Sequence, residues 1–326
     1  MESREGEVSI VILTKNAGPD IGGVLQAISE QEVDFSFEAI VIDSGSEDET
    51  LEIVKKYPVR FYQIKPEEFH HSLTRNLGVS LSRGKYVVFL TQDACPASRQ
   101  WLKNLLRNFS EPGVAAVYGR HLPRADASPT RRFALSWLYP DRRVVTQISG
   151  QKPADYRQTA FSNVNSTVRK ELLLQFSFPE ELIMGEDRWL AKQLLENGHK
   201  VVYDSEAAVF HSHNYRLWDE FQRYFDIGVA FATIWNSNMG QKEGTRAMVK
   251  EWLAYLFCEA KFLVAQGAWA SVPYAFAYEL TKMTGFNLGK RAGPLPVSIK
   301  KRLSMGKHFW DQHLKSNRSR IRGQSF

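Results

Sequence analysis

The chain has 326 residues, 43% of them hydrophobic and 24% charged, which is enough apolar material for one large domain or two ordinary ones. With 21 Gly, 13 Pro and an average charge content, this composition excludes a collagen, a coiled coil and a wholly disordered chain. The formal charge of +6 is unevenly placed: residues 285–326 hold ten Lys/Arg against one Asp, and residues 1–284 hold 32 against 35 acidic residues.

In chain order, residues 1–7 are polar and lack the apolar stretch of a signal peptide, and only two cysteines, Cys95 and Cys258, occur. Both features lead us to expect a reducing, cytoplasmic compartment. Short apolar runs at 8–13, 39–42, 61–64, 86–90 and 114–118 read as buried strands. Helical patterns lie between them at 21–30, 48–57, 72–82 and 98–109. The second of these opens on Ser46-Glu47-Asp48-Glu49, where Ser46 is expected to cap the helix. This alternation predicts an α/β fold with a mainly parallel sheet covered on both faces. Residues 122–159 are Arg- and Pro-rich and read as a long loop or a partly helical stretch. Regularity returns at 164–168, in a helix over 186–196 and in strands at 200–203 and 207–210. A long aromatic-rich region at 217–284 reads as mostly helical. Its uncharged run, 262–278, contains Gln266, Gly267 and Pro273 and falls short of a membrane span, so an interfacial or core helix is expected.

In such a sheet, ligands bind beyond the carboxyl ends of the strands, and polar residues gather there. Thr14, Lys15 and Asn16 follow the first strand, Asp43 and Ser44 the second, and Thr91, Gln92 and Asp93 the fourth. No Gly-x-Gly-x-x-Gly follows the first strand and no Walker-type Gly-Lys-Ser/Thr occurs. Asp43 can accept from a base N–H or ribose hydroxyls, or it can simply serve the turn before the next helix. Asp93 is placed to bind a divalent cation carrying a diphosphate, or to cap a turn. His211 and His213 alternate onto one face, as metal ligands, phosphate donors or hydrogen-bonded core groups. Glu186 and Asp187 open a helix, where carboxylates are favoured electrostatically; the pair reads as plain capping, or as supplying a general base with Arg188 and Trp189 around it. Arg75 and His71, one turn apart, share a face suited to phosphate or sugar hydroxyls, or to solvent.

Taken together, 8–16, Asp43-Ser44-Gly45-Ser46, Asp93, Glu186-Asp187 and Arg188-Trp189 resemble the inverting family-2 glycosyltransferases of GT-A fold, over about residues 7–225. Within them the segments Phe69-His70 to Arg75-Asn76, Thr91-Gln92-Asp93-Ala94, Phe161 to Ser166 and His211 to Tyr215 are most similar to bacterial rhamnosyltransferase-like enzymes of polysaccharide assembly. The resemblance implies a glycosyltransferase domain at 1–225 and a helical C-terminal region with a basic tail at 226–326. It implies that Thr14, Asn16, Asp43, Ser44, Arg75 and Gln92 hold a nucleotide-diphosphate sugar, dTDP-rhamnose first and a UDP-hexose or UDP-N-acetylhexosamine as the alternative. Asp93 with His213 or His211 would bind Mg²⁺ or Mn²⁺, although Thr91 stands where the motif's first Asp is usual. Asp187 would be the catalytic base, and Asn163, Asn165, Glu186, Arg188 and Trp189 would line the acceptor pocket. The acceptor would be a saccharide, free or lipid-linked, which implies peripheral contact with the inner face of a bacterial plasma membrane through the C-terminal helices and tail. Those helices would equally suit a core or a homo-oligomer surface. The rival reading as a nucleic-acid-binding module is disfavoured, because strand-end acids are a poor surface for a phosphate backbone.

Overall fold

The computed structural model describes residues 7–148, 153–235 and 241–311. The first unit begins with β1 (Val8–Thr14), α1 (Gly18–Ser29), β2 (Phe37–Asp43), α2 (Thr50–Val54) and β3 (Arg60–Gln63). It continues through α3 (His71–Leu81), β4 (Tyr86–Thr91), β5 (Cys95–Pro96), α4 (Trp101–Leu106) and β6 (Val114–Leu122). Then follow α5 (Pro129–Leu138), of which residues 129–133 belong to the second unit, β7 (Val144–Thr146), β8 (Asn165–Arg169), α6 (Lys170–Gln175), α7 (Glu186–Glu196) and β9 (Lys200–Phe210). All nine strands form one sheet in the order β3-β2-β1-β4-β8-β6-β9-β5, with β7 also paired to β9. The pairings of β1 to β2 and β4, β2 to β3, and β6 to β9 are parallel, while β8, β5 and β7 run the other way. The sheet is therefore mostly parallel, as expected, with β8 inserted antiparallel between β4 and β6.

The apolar runs are continuous because both faces of the sheet are covered. Ile10, Ile12, Val41, Val88 and Leu90 pack on one face under Ile21, Val24, Leu25 and Ile28 of α1 and Trp101, Leu102 and Leu105 of α4. The alternate residues Val11, Ile40, Ile42, Val87 and Phe89 pack on the other under Val79 of α3, Leu172 and Leu173 of α6, and Leu190, Leu194 and Leu195 of α7. Because β1, β2 and β4 run parallel, the loops that follow them all leave from one edge of the sheet, the carboxyl edge.

Three readings from sequence change here, and one is decided between its alternatives. Ser46 does not cap α2: the helix starts at Thr50, whose N–H is accepted by Asp48, and the Ser46 hydroxyl turns instead to the loop after β1. Of the two readings of the 122–159 stretch, the partly helical one holds, since it contains α5, with the short strand β7 besides. The two pieces 200–203 and 207–210 are one strand, because Asp204, which interrupts the apolar pattern, is buried against Arg107 and Asn108. The compact units do not divide at residue 225. The first ends at His213, and the second comprises 128–133, 181–185 and 214–326, with α8 (Leu217–Trp235) running unbroken through that position.

The second unit adds α9 (Gln241–Ala265), α10 (Val272–Lys290) and α11 (Val297–Leu303). Ile183, Phe225, Ala230, Ala292 and Trp310 form its apolar core. Helices α8 and α10 approach closely at Gly289, where a Cβ would overlap the Phe225 carbonyl oxygen. The run 262–278 is not a single helix: α9 ends at Ala265, Gly267 has φ +71°, and Pro273 stands in the first turn of α10. Among the described residues no helix is long and apolar enough to cross a membrane. The basic tail beyond Asp311 lies outside the described residues.

Candidate active site

At the end of β4 the chain bends through Thr91, Gln92 and Asp93 and enters β5. The two residues of β5 pair antiparallel with the last two of β9, Cys95 facing Phe210 and Pro96 facing Val209. That short ladder sets Asp93 opposite the segment that follows β9. His211 Nε2 and His213 Nε2 lie 3.5 and 3.2 Å from the same Asp93 oxygen, and 3.1 Å from each other. Alternation puts both imidazoles on one side, as the spacing predicts. This is the group of His, Cys, Asp or Glu side chains among the described residues whose donor atoms converge as metal ligands would. One carboxylate and two imidazoles fit a divalent cation and leave positions open for other oxygen ligands. The Thr91 hydroxyl, where a second carboxylate would stand, is buried and makes no hydrogen bond.

The loops after β1 and β2 are locked together. Asp43 is fully buried; one oxygen accepts from the Thr14 and Ser46 hydroxyls, and the other from the Gly45 and Ser46 N–H groups at 2.9 Å each. A carboxylate has about four acceptor sites, and all are used, so the turn-building role is the one this geometry realises. Ser44 donates to the Thr14 carbonyl. Asn16, at φ +46°, donates its N–H to Ser46 Oγ and accepts from the Glu47 N–H. Asn and Asp tolerate that left-handed geometry better than other side chains. Gln92 accepts from the Lys15 N–H at 2.8 Å and donates to the Lys15 carbonyl, tying the loop after β4 to the loop after β1.

Gly185, at φ +79°, turns the chain into α7, whose first two residues are the paired acids. They have different surroundings. Glu186 is buried and bonded to the equally buried Arg75 at 2.8 Å. Burial alone would raise its pKa, but Arg75 and His71 outweigh that and hold it below the usual carboxylate range. Asp187 has no such partner. It accepts from the Arg188 N–H at 2.7 Å and, at 3.4 Å, from the Asn163 N–H. Loss of solvation, reinforced by the charge of Glu186, pushes it up to about 6. Arg75 is thus an internal counter-ion, not the solvated face that its helical spacing permitted.

Of the expected pocket residues, Asn163 sits beside Asp187, and Arg188 lies over the Tyr156 ring at 4.1 Å while donating to the Tyr156 carbonyl. Trp189 packs against the core beneath α7. Asn165 is a correction. It is fully buried, accepting from the Trp101 indole at 2.9 Å and donating to the Ala207 carbonyl at 2.7 Å, so it joins α4 to β9 within the core. The sequence reading also missed Asp20 and Arg124. They form a bidentate pair at 2.7 and 3.0 Å on the rim of a cavity of about 390 Å³ that includes Asp93, Cys95 and Phe210. Neither belongs to a local motif, so no spacing signal marks them.

Residues 9–173 match the family model described as Glycosyl transferase family 2. The chain is 36% identical to the O-antigen chain rhamnosyltransferase RfbN of Salmonella typhimurium, with 94% of this chain and 96% of that protein covered. The chain belongs to glycosyl transferase family 2. Within the family it is also 33% identical to the O-antigen chain rhamnosyltransferase WbaN of Salmonella anatum, over 93% of this chain and 95% of that one. Among solved structures, the mannosyltransferase PcManGT from Pyrobaculum calidifontis, in complex with GDP-Man and Mn²⁺, has a TM-score of 0.60 at 18% identity. The match covers 88% of this chain and 89% of PcManGT, and it shows that the two share the GT-A fold. The protein is therefore a glycosyltransferase, as the resemblance to the family implied.

Proposed function

We propose that this glycosyltransferase moves rhamnose from dTDP-rhamnose to a saccharide or lipid-linked saccharide acceptor, with inversion, and that Asp187 is its general base. The nearly full-length likeness to two O-antigen chain rhamnosyltransferases carries the choice of sugar. The division of labour between the two acids carries the mechanism: Glu186 is committed to Arg75, while Asp187 keeps a raised proton affinity near the working pH of a base. The acceptor oxygen bonds to the anomeric carbon as the bond from that carbon to the diphosphate oxygen breaks. The acceptor's proton passes to an Asp187 carboxylate oxygen. With one base and no covalent intermediate, a single displacement inverts the anomeric centre. Asp93, His211 and His213 would hold a divalent cation, which when bound offsets the charge developing on the diphosphate. Two imidazoles beside a single carboxylate favour Mn²⁺ over the strictly oxygen-seeking Mg²⁺. Thr14, Asn16, Ser44 and Gln92, through the bonds that join three loops, keep the nucleotide's platform rigid before it binds.

A thermal-shift panel of nucleotide sugars tests the donor. At a hundredfold excess over Kd, the matching donor stabilises by about 2.7 kcal/mol and the others far less. The largest shift is expected from dTDP-rhamnose with Mn²⁺; a larger one from a UDP-hexose or UDP-N-acetylhexosamine would move the donor to that class.

We also propose peripheral membrane contact through the second unit. Leu253, Phe257 and Val264 share a face of α9, each more than half exposed, and Trp269 follows at 71% exposure. Lys261 on α9 and Lys300, Lys301 and Arg302 on α11 would supply attraction to anionic lipid, at about 1 kcal/mol per residue near the surface. The protein is expected to float with anionic vesicles, and the double substitution Phe257→Glu with Trp269→Glu to abolish flotation. Equal flotation of the variant would refute the contact.

A further inference from the structure

The segment His211-Ser212-His213 lies beyond the end of β9, where ladder pairing to β5 has already stopped at Phe210. Something else must fix two imidazoles within 3.5 Å of one Asp93 oxygen. The connections come from the other side. The His211 N–H donates to the Leu122 carbonyl at 2.9 Å, and the Arg124 N–H donates to the Ser212 hydroxyl at 3.0 Å. Residues 122–124 therefore grip the segment at two successive positions, the second lying between the two histidines. Arg124 is in turn held by its guanidinium, whose two terminal nitrogens meet the two oxygens of Asp20 in the first turn of α1. The path runs from α1 through Asp20, Arg124 and Ser212 to the histidines.

We propose that Asp20 and Arg124 are positioning residues, a latch that holds the 211–213 segment in the geometry the Asp93–His211–His213 cation site requires. The inference rests on the metal reading of those three side chains and goes beyond it, because it makes cation affinity depend on a pair that touches no cation. A planar bidentate pair fixes direction as well as distance, which a single charge contact does not. Its side chains are 35% and 42% exposed, on the rim of the cavity beside Asp93, so the pair is a minor contributor to folding stability. Partners that orient metal ligands from outside the coordination shell typically control affinity by 10- to 100-fold.

Electrostatics and positioning give opposite signs for one of two variants, which makes the idea testable. Asp20→Asn leaves the positive Arg124 near the cation site, and Arg124→Gln leaves the negative Asp20 there. If the pair acted only through charge, Arg124→Gln would bind the cation more tightly than the parent. As a latch, both substitutions weaken it. The measurement is Mn²⁺ binding to the full-length protein without nucleotide sugar, by electron paramagnetic resonance of free Mn²⁺, alongside the melting temperature of each metal-free variant. The expected result is a 10- to 100-fold loss of affinity in both variants, no greater loss in the double variant, and metal-free melting within a few degrees of the parent. Tighter or unchanged binding by Arg124→Gln overturns the latch, as does a double variant whose loss is the product of the single ones. Failure of the parent protein itself to bind Mn²⁺ would overturn the metal reading, and the latch with it, and is distinguishable because no variant is then needed.

Discussion

Asp187→Asn is expected to lower turnover at least a hundredfold while leaving donor affinity nearly unchanged. The amide keeps one oxygen to accept from the Arg188 N–H and gives up only the longer 3.4 Å bond from the Asn163 N–H to the other carboxylate oxygen, so the start of α7 should hold its geometry. What it loses is the ability to take the acceptor's proton, and positioned general-base catalysis is worth about 10²–10⁴-fold. The parent enzyme adds a pH signature. Asp187, the proposed base, is pushed up to about 6, so kcat/KM should fall as the pH drops through that value. Stability moves the opposite way. Because the folded-state pKa of Asp187 lies above the ordinary carboxylate value of about 4 that the unfolded chain has, the contribution of this group is fully present below about pH 4 and is lost as the pH rises through about 6. Asn cannot ionise and escapes that loss. The variant should therefore melt above the parent at pH 7 to 8, and the gap should close near pH 4. Near-normal turnover by the variant would remove Asp187 from the mechanism. A more stable, inactive variant is the pattern expected where a functional site stores unfavourable desolvation.

The parts of this architecture legible in the sequence are those set by burial. Ile10, Val11 and Ile12 form a continuous apolar run because α1 and α3 cover opposite faces of β1, and the same holds for Val87 to Leu90 in β4. The strand-end positions of Thr14, Asp43 and Asp93 follow from those runs. What was not legible depends on partners distant in the chain. Strand β5 is only Cys95 and Pro96, too short for any periodicity, and exists because β9 pairs with it. Yet it brings Asp93 to His211 and His213. Asn165 has the polarity of a pocket residue, and only the Trp101 indole and the Ala207 carbonyl make it part of the core. Ser46 fits a capping pattern, but Asn16 and Asp43 outcompete the helix for its hydroxyl. The two acids of α7 are identical in their claim to a helix start. Arg75, on a different helix, separates their roles.

That separation carries the second large expectation. Glu186→Gln and Arg75→Met should each destabilise the fold by about 3–5 kcal/mol, because each leaves the other member of a buried pair without compensation. Urea unfolding of the two variants measures this directly. Their effects on the acid limb of activity should differ in sign. The charge of Glu186 helps to hold the Asp187 proton, and the charge of Arg75 helps to release it. Removing Glu186 should move the limb to lower pH, and removing Arg75 should move it higher. Two shifts in the same direction would mean that the pair acts on Asp187 by fixing the start of α7 instead of through its charges. Loss of stability without movement of either limb would make the pair structural only. Opposite shifts would establish that an ion pair buried beside the site sets the pH at which the neighbouring carboxylate becomes a base.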